Sequence, residues 1–235
     1  MPADLTIERG TAASWQPIYD AILNAIARHR LGPWTKLAEE EIAEIYGVSR
    51  TVVRAALQAL ARDGVVILQR NKGARIAHPT PEEARQIFEA RAVVEPPLAA
   101  LAAGRLGAGD AEMLRASIDA EHGALHADNP REAVYHSADF HRRIARLSGQ
   151  TVLAAIVDGL LSRSSLVIAL YWRQPRTLCD NAAHSELLDA LTRGDGPNAS
   201  ELMRCHLDAL LADLDLTYAL PPSSDLASAL RTISR

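Results

Sequence analysis

With 235 residues, 48% of them hydrophobic and 23% charged, the chain is long enough to bury a substantial core and too apolar for a disordered segment. A net charge of −4 argues against a uniformly basic nucleic-acid binder. Cys179 and Cys205 are the only two cysteines and are not spaced as a metal knuckle, so a reduced, cytoplasmic protein is expected. The N-terminus MPADLTIERG has early acids and no apolar core, unlike a signal peptide, and Arg, Asp or His interrupts every apolar run that approaches membrane-spanning length.

The average charge hides an asymmetry. Residues 1–78 hold ten basic and eight acidic residues, a balance of +2, while the remainder holds fifteen and twenty-one, a balance of −6. Within 47–77 the imbalance sharpens to Arg50, Arg54, Arg62, Arg70, Lys72 and Arg75 against Asp63 alone. Such a local basic patch is what a phosphate-binding surface requires, although a plain solvated face has the same composition.

In chain order, WQPIYDAILNAIARHRLG sets Ile18, Ile22 and Ile26 at helical spacing, with Gly32 and Pro33 as the stop. KLAEEEIAEIYG reads as a second helix ending at Gly47. Ser49 is a suitable N-cap for a third, running to about Asp63. DGVVILQRNKGARIA then has two short strands about an NKG turn, a β-hairpin signal. Helix, helix, helix, hairpin is the order of a winged helix-turn-helix, predicted here over residues 1–78.

HPTP at 78–81 is a stiff joint, with Thr80, Pro81 and Glu83 placed to cap the next helix. From 79 to 220 the pattern is helical throughout, about six helices, with Pro96–Pro97 expected to kink or break the first. Residues 221–235 read as a tail. The predicted fold is therefore mostly α, a winged helix-turn-helix followed by an all-helical antiparallel bundle.

On the third helix, Val53, Ala56, Leu57 and Leu60 share one side at 100° per residue, and Arg50, Thr51, Arg54 and Gln58 share the other. A recognition helix presents its N-terminal residues to bases and phosphates in this way, Arg binding guanine or phosphate and Ser or Thr the backbone. Arg70, Lys72 and Gly73 belong to the wing tip. The run LAEEEIAEIYGVSRTVVRAALQALARDGVVILQRNKGARI resembles the winged helix of the GntR family of bacterial transcription regulators. The resemblance implies DNA contacts at Ser49, Arg50, Thr51 and Arg54, with wing contacts at Lys72 and Gly73. Where some relatives place a DNA-binding arginine in the second helix, this chain has Glu40.

Of eight histidines, His29, His78, His122, His126 and His136 lie in polar surroundings that suggest exposure. His122 and His126 have metal-ligand spacing, but Gly123 weakens the helix between them. His141, His184 and His206 each lie beside apolar positions on separate amphipathic helices. An inward histidine is more often a hydrogen-bonded core residue than a ligand, yet three in one bundle can share a divalent ion. ADFHRRIARLSGQ and HSELLDALTRGD resemble segments of the FCD effector domain of the FadR-type GntR subfamily. Many such domains bind a metal through one Asp and three His, which implies His141, His184 and His206 here. The Asp position holds Ser137, and Asp139 points about 200° round the helix and cannot simply replace it.

Three imidazoles suit a Zn- or Ni-like ion. The resemblance further implies a small organic acid effector, with Arg91 lining its pocket, and Arg163 stands on a helix that could face it. A homodimer on a double-stranded, palindromic DNA operator follows, because one recognition helix reads only a half-site. The competing reading is a metal-dependent hydrolase or deaminase, since three His with an open position is also a catalytic zinc arrangement. Against it, HSE at 184–186 is followed by no P-C-x-x-C, and H-E-x-x-H and G-x-S-x-G are absent.

Overall fold

The computed structural model describes residues 14–69, 73–172 and 181–217. The chain begins with α1 (Gln16–Ala27), β1 (Lys36–Leu37), α2 (Glu39–Tyr46), α3 (Arg50–Arg62) and a hairpin of β2 (Val66–Gln69) and β3 (Gly73–Ile76). β3 is the central strand of an antiparallel sheet ordered β1-β3-β2, with Lys36 opposite Arg75 and Val66 opposite Ile76. The sequence reading differs at the boundaries of the first two helices. α1 ends at Ala27, before Gly32–Pro33, because His29 takes a left-handed φ of 50° after the last helical turn. Lys36 and Leu37, expected in the second helix, pair with β3 instead, and Leu37 is completely buried.

Helix pattern and burial agree along α3. Val53, Ala56, Leu57 and Leu60 join Ile18, Ile22 and Ile26 of α1, Ile42 of α2 and Val66 and Ile76 of the hairpin in one core. Gly47 ends α2 at φ 63°, a left-handed conformation that glycine adopts without a Cβ penalty, and so turns the chain into α3. Ser49 occupies the N-cap position with extended backbone, but its side chain makes no capping hydrogen bond.

Six further helices follow among the described residues: α4 (Pro81–Ala103), α5 (Ala108–His126), α6 (Pro130–Leu147), α7 (Thr151–Tyr171), α8 (Asn181–Thr192) and α9 (Gly196–Ala212). Thr80 and Glu83 form the expected capping box, with Thr80 Oγ1 accepting from the Glu83 amide and Glu83 Oε2 from the Thr80 amide. Pro96 and Pro97 do not break α4, which runs uninterrupted to Ala103. Leu98, Ala99 and Ala102 beyond the prolines are buried, and this packing outweighs the two lost amide donors. α7 has the length and apolarity to cross a membrane by composition alone, but it carries Asp158 and Arg163 and packs one side on α1, α4 and α6.

The two parts of the chain are joined by more than the HPTP segment. Leu166 of α7 is buried in the first core, and Tyr171 donates to the Pro79 carbonyl at 2.8 Å. Arg28 pairs with Glu132 of α6 while its guanidinium lies 4.1 Å over the Tyr135 ring. His29 is not an exposed surface histidine: its Nε2 is buried without a partner, and burial together with Arg131 pushes its pKa down to about 4. The expected tail at 221–235 lies outside the described residues.

Candidate nucleic-acid interface and histidine centre

Burying its apolar stripe leaves α3 with Arg50, Thr51, Arg54 and Gln58 exposed, beside exposed Ser49. Glu39, in the first turn of α2, binds Arg54 Nε through both carboxylate oxygens at 2.9 and 3.0 Å and lies 3.7 Å from Arg50 Nε. Its carboxylate raises the Arg54 pKa above the ordinary value, chiefly through that hydrogen bond. Both arginines remain about 60% exposed while Glu39 is 16% exposed, so the acid is the fixed member and the guanidiniums project beyond it. A groove between α3 and the hairpin is lined by Lys36, Glu40, Arg50, Arg54, Gln69 and Gly73. Gly73, at φ 81°, opens β3 opposite Gln69. Arg70 and Lys72 lie outside the described residues. Sequence reasoning missed Glu39, although its place at the start of α2, ahead of a basic α3, was the available signal.

The helical part brings the three singled-out histidines together. His141 of α6, His184 of α8 and His206 of α9 each offer a ring nitrogen, and these atoms lie within 4.8 Å of one another, a geometry that could hold a metal ion. His184 Nε2 and His206 Nε2 are 3.1 Å apart, and His141 Nε2 is buried with no hydrogen-bond partner. The opposite nitrogens are anchored on carboxylates: His141 Nδ1 lies 2.6 Å from Glu95 and His184 Nδ1 2.8 Å from Glu121. Carboxylates on Nδ1 leave the Nε2 lone pairs free to converge, the usual outer arrangement of a histidine metal site. Burial keeps His141 and His206 below the ordinary imidazole pKa, hence neutral as a ligand must be. The residues present therefore fit a divalent ion with borderline nitrogen preference.

Glu95 is the pivot of a buried network. It accepts from Arg91 Nε at 2.5 Å and from Arg91 Nη2 at 3.5 Å, while Arg91 Nη1 lies 3.3 Å from Ser164 Oγ of α7. Burial alone would raise the Glu95 carboxyl, but Arg91 and His141 outweigh it and hold the pKa at about 2. A small cavity beside the centre is lined by Arg91, Ser137, His141, Ser164, Ser165 and Ile168. Arg163 does not reach it, because its side chain lies across the Gly64 turn of the winged helix, Nε 3.3 Å from where a Gly64 Cβ would stand. Asp139 points away from the histidines and is held by Arg143 at 2.6 Å and Ser117 at 3.2 Å. Neither Glu95 nor Glu121 was singled out from sequence. Glu95 had a visible signal, standing four residues after Arg91 and ahead of the apolar second half of α4, whereas Glu121 had none.

A winged helix with a basic exposed face on its third helix, joined to a helical bundle around an inward histidine cluster, defines the architecture of a DNA-binding regulator. Comparison with known proteins agrees: residues 15–76 match the gntR family of bacterial regulatory proteins and residues 86–209 match the FCD domain. The chain belongs to the GntR family, with a GntR winged helix followed by an FCD domain. It is 30% identical over 215 residues to an uncharacterized HTH-type transcriptional regulator in an unstable DNA locus of Streptomyces ambofaciens, covering 87% of this chain and 86% of that one. It is 28% identical over 211 residues to a probable D-xylose utilization operon transcriptional repressor of Paenarthrobacter nicotinovorans, covering 87% and 89%. The structure of McbR/YncC from E. coli shares the fold at a TM-score of 0.77 and 18% identity, covering 86% of this chain and 97% of that one. The protein is thus a transcription regulator and not an enzyme.

Proposed function

We propose that the protein is a repressor that binds a palindromic operator as a homodimer and responds to a small organic acid held beside a Zn- or Ni-like ion. Ser49, Arg50, Thr51 and Arg54 meet the major groove, with Arg70, Lys72 and Gly73 on the adjacent backbone. His141, His184 and His206 would hold the ion, which would supply a Lewis-acidic position for a carboxylate; Arg91 lines the same cavity. Exposed Val93 on α4 and exposed Val152 and Ile156 on α7, two helices packed together, support a face between copies. The Paenarthrobacter relative is a probable transcriptional repressor, which supports the direction of regulation, and the cytoplasm is where such a protein would meet the chromosome.

The observation that carries the sensing half is the convergence of three histidine nitrogens within 4.8 Å, two of the rings being anchored from behind by buried carboxylates. α6 provides the path to the DNA-binding part: Glu132 and Tyr135 meet Arg28 of α1, and Ser137 and His141 lie within the next two turns at the centre. Ligand binding shifts the regulator only through different affinity for its two arrangements. The test has two arms on purified full-length protein. In a gel shift against the DNA upstream of its own gene, the protein is expected to retard that DNA at moderate salt, with small carboxylates altering the shift. In isothermal titration Zn2+ or Ni2+ is expected to bind, and His184→Ala to abolish the heat. Failure to bind that DNA or any member of a random pool would refute the regulator's operator reading, and absence of metal would refute the metal.

A further inference from the structure

We propose that Glu121 is a positioning residue of the histidine centre, supplying from behind His184 the negative charge that Ser137 leaves out of the ligand set. This rests on the metal reading above. Glu121 is 2% exposed, and among the described residues its one ion-pair partner is His184, at 2.8 Å from Nδ1. The contrast with Glu95 is instructive: Glu95 has the Arg91 guanidinium as well as His141, so its charge is balanced without any ion. Among the described residues Glu121 is paired with an imidazole and with no arginine or lysine. A buried carboxylate without a cation is strongly unfavourable, and the place where a cation would balance it lies through the ring, at the point where His184 Nε2 meets His206 Nε2 at 3.1 Å.

Three neutral imidazoles bring no charge to a divalent ion. The position four residues before His141, where a carboxylate would bring one directly, holds the hydroxyl of Ser137 in the cavity wall. A carboxylate accepting from Nδ1–H fixes the tautomer, turns the Nε2 lone pair inward and makes that nitrogen a stronger donor. Charge delivered through the ring, and not by a fourth protein ligand, keeps one coordination position of the ion free. The pairing of Glu121 with Ser137 therefore serves a centre meant to accept an outside ligand.

The experiment is isothermal titration of full-length protein with Zn2+, repeated with Co2+ and read by its visible absorption. Glu121→Gln keeps a hydrogen-bond acceptor and removes the charge. It is expected to weaken metal binding roughly 10- to 100-fold, while the unfolding midpoint of the metal-free protein is unchanged or raised, because a buried charge has gone. A purely structural role predicts the reverse pattern, a lowered metal-free midpoint with wild-type metal affinity, and that result overturns the inference. Adding Ser137→Asp to Glu121→Gln is expected to restore affinity, and lack of rescue also overturns it. If Glu121→Gln does not fold by far-UV circular dichroism, Glu121→Asp takes its place, expected to lose affinity by withdrawing the carboxylate from His184; wild-type affinity there is again a refutation. Metal-free wild type in every titration refutes the metal reading itself, whereas equal binding by wild type and variant refutes only the role of Glu121.

Discussion

Among the carboxylates that hold arginines, Glu39 and Glu95 make the sharpest contrast, one at the surface of the winged helix and one in the core of the helical bundle. Glu39 holds Arg54, with Arg50 nearby, at a surface where both guanidiniums stay about 60% exposed. Glu95 holds Arg91 where neither side chain exceeds 3% exposure, and shares its other oxygen with His141. In water the attraction is screened and the arginines can give up one partner for another at little cost, which suits the proposed exchange of a carboxylate for phosphate or base. In the core the same pair cannot be broken without stranding a charge. Identical chemistry is exchangeable on α3 and structural on α4 because the dielectric differs.

The largest expected effect is on the buried side. Glu95→Gln leaves Arg91 without a counter-charge and should lower stability by about 3–5 kcal/mol in urea unfolding; a loss near zero would erase the contrast. Next comes the recognition face, where Arg50→Ala should weaken operator binding by roughly 1–3 kcal/mol and relax specificity at one base position, measured by fluorescence anisotropy on systematically substituted operators. Uniform weakening across all sequences would reassign Arg50 to phosphate. The smallest effect belongs to Glu39→Gln, which should leave the urea midpoint within replicate scatter. A drop comparable to that of Glu95→Gln would show that the surface pair is structural after all.

The exposed polar side of α3 was legible before any coordinates because it obeys a local rule. Helical periodicity alone separates Val53, Ala56, Leu57 and Leu60 from Arg50, Thr51, Arg54 and Gln58, and burial follows that division. Turn chemistry was legible for the same reason, as in the Thr80–Glu83 capping box, whose partners are three residues apart. Lys36–Leu37 was misread because strand pairing with Arg75 and Ala74 is a contact across nearly forty residues. Pro96–Pro97 was misread because local backbone preference favoured a break and tertiary burial of Leu98, Ala99 and Ala102 overruled it.

The histidine centre lies between these cases. Apolar neighbours marked His141, His184 and His206 as inward-facing, each on its own helix. That their nitrogens meet within 4.8 Å, that Arg91 joins them through Glu95, and that Arg163 goes instead to the Gly64 turn are facts of helix packing. Glu121 shows the limit most plainly, since nothing in IDAEHGAL marks that residue as the partner of a histidine 63 positions away. By itself the sequence determined the winged helix, the exposed polar side of its third helix and the three inward histidines, because each follows from spacing within one element. Only the tertiary structure decided which buried charges meet and which arginine faces the cavity, because those depend on how α4 to α9 stack, and a helix does not encode the rotation of its neighbours.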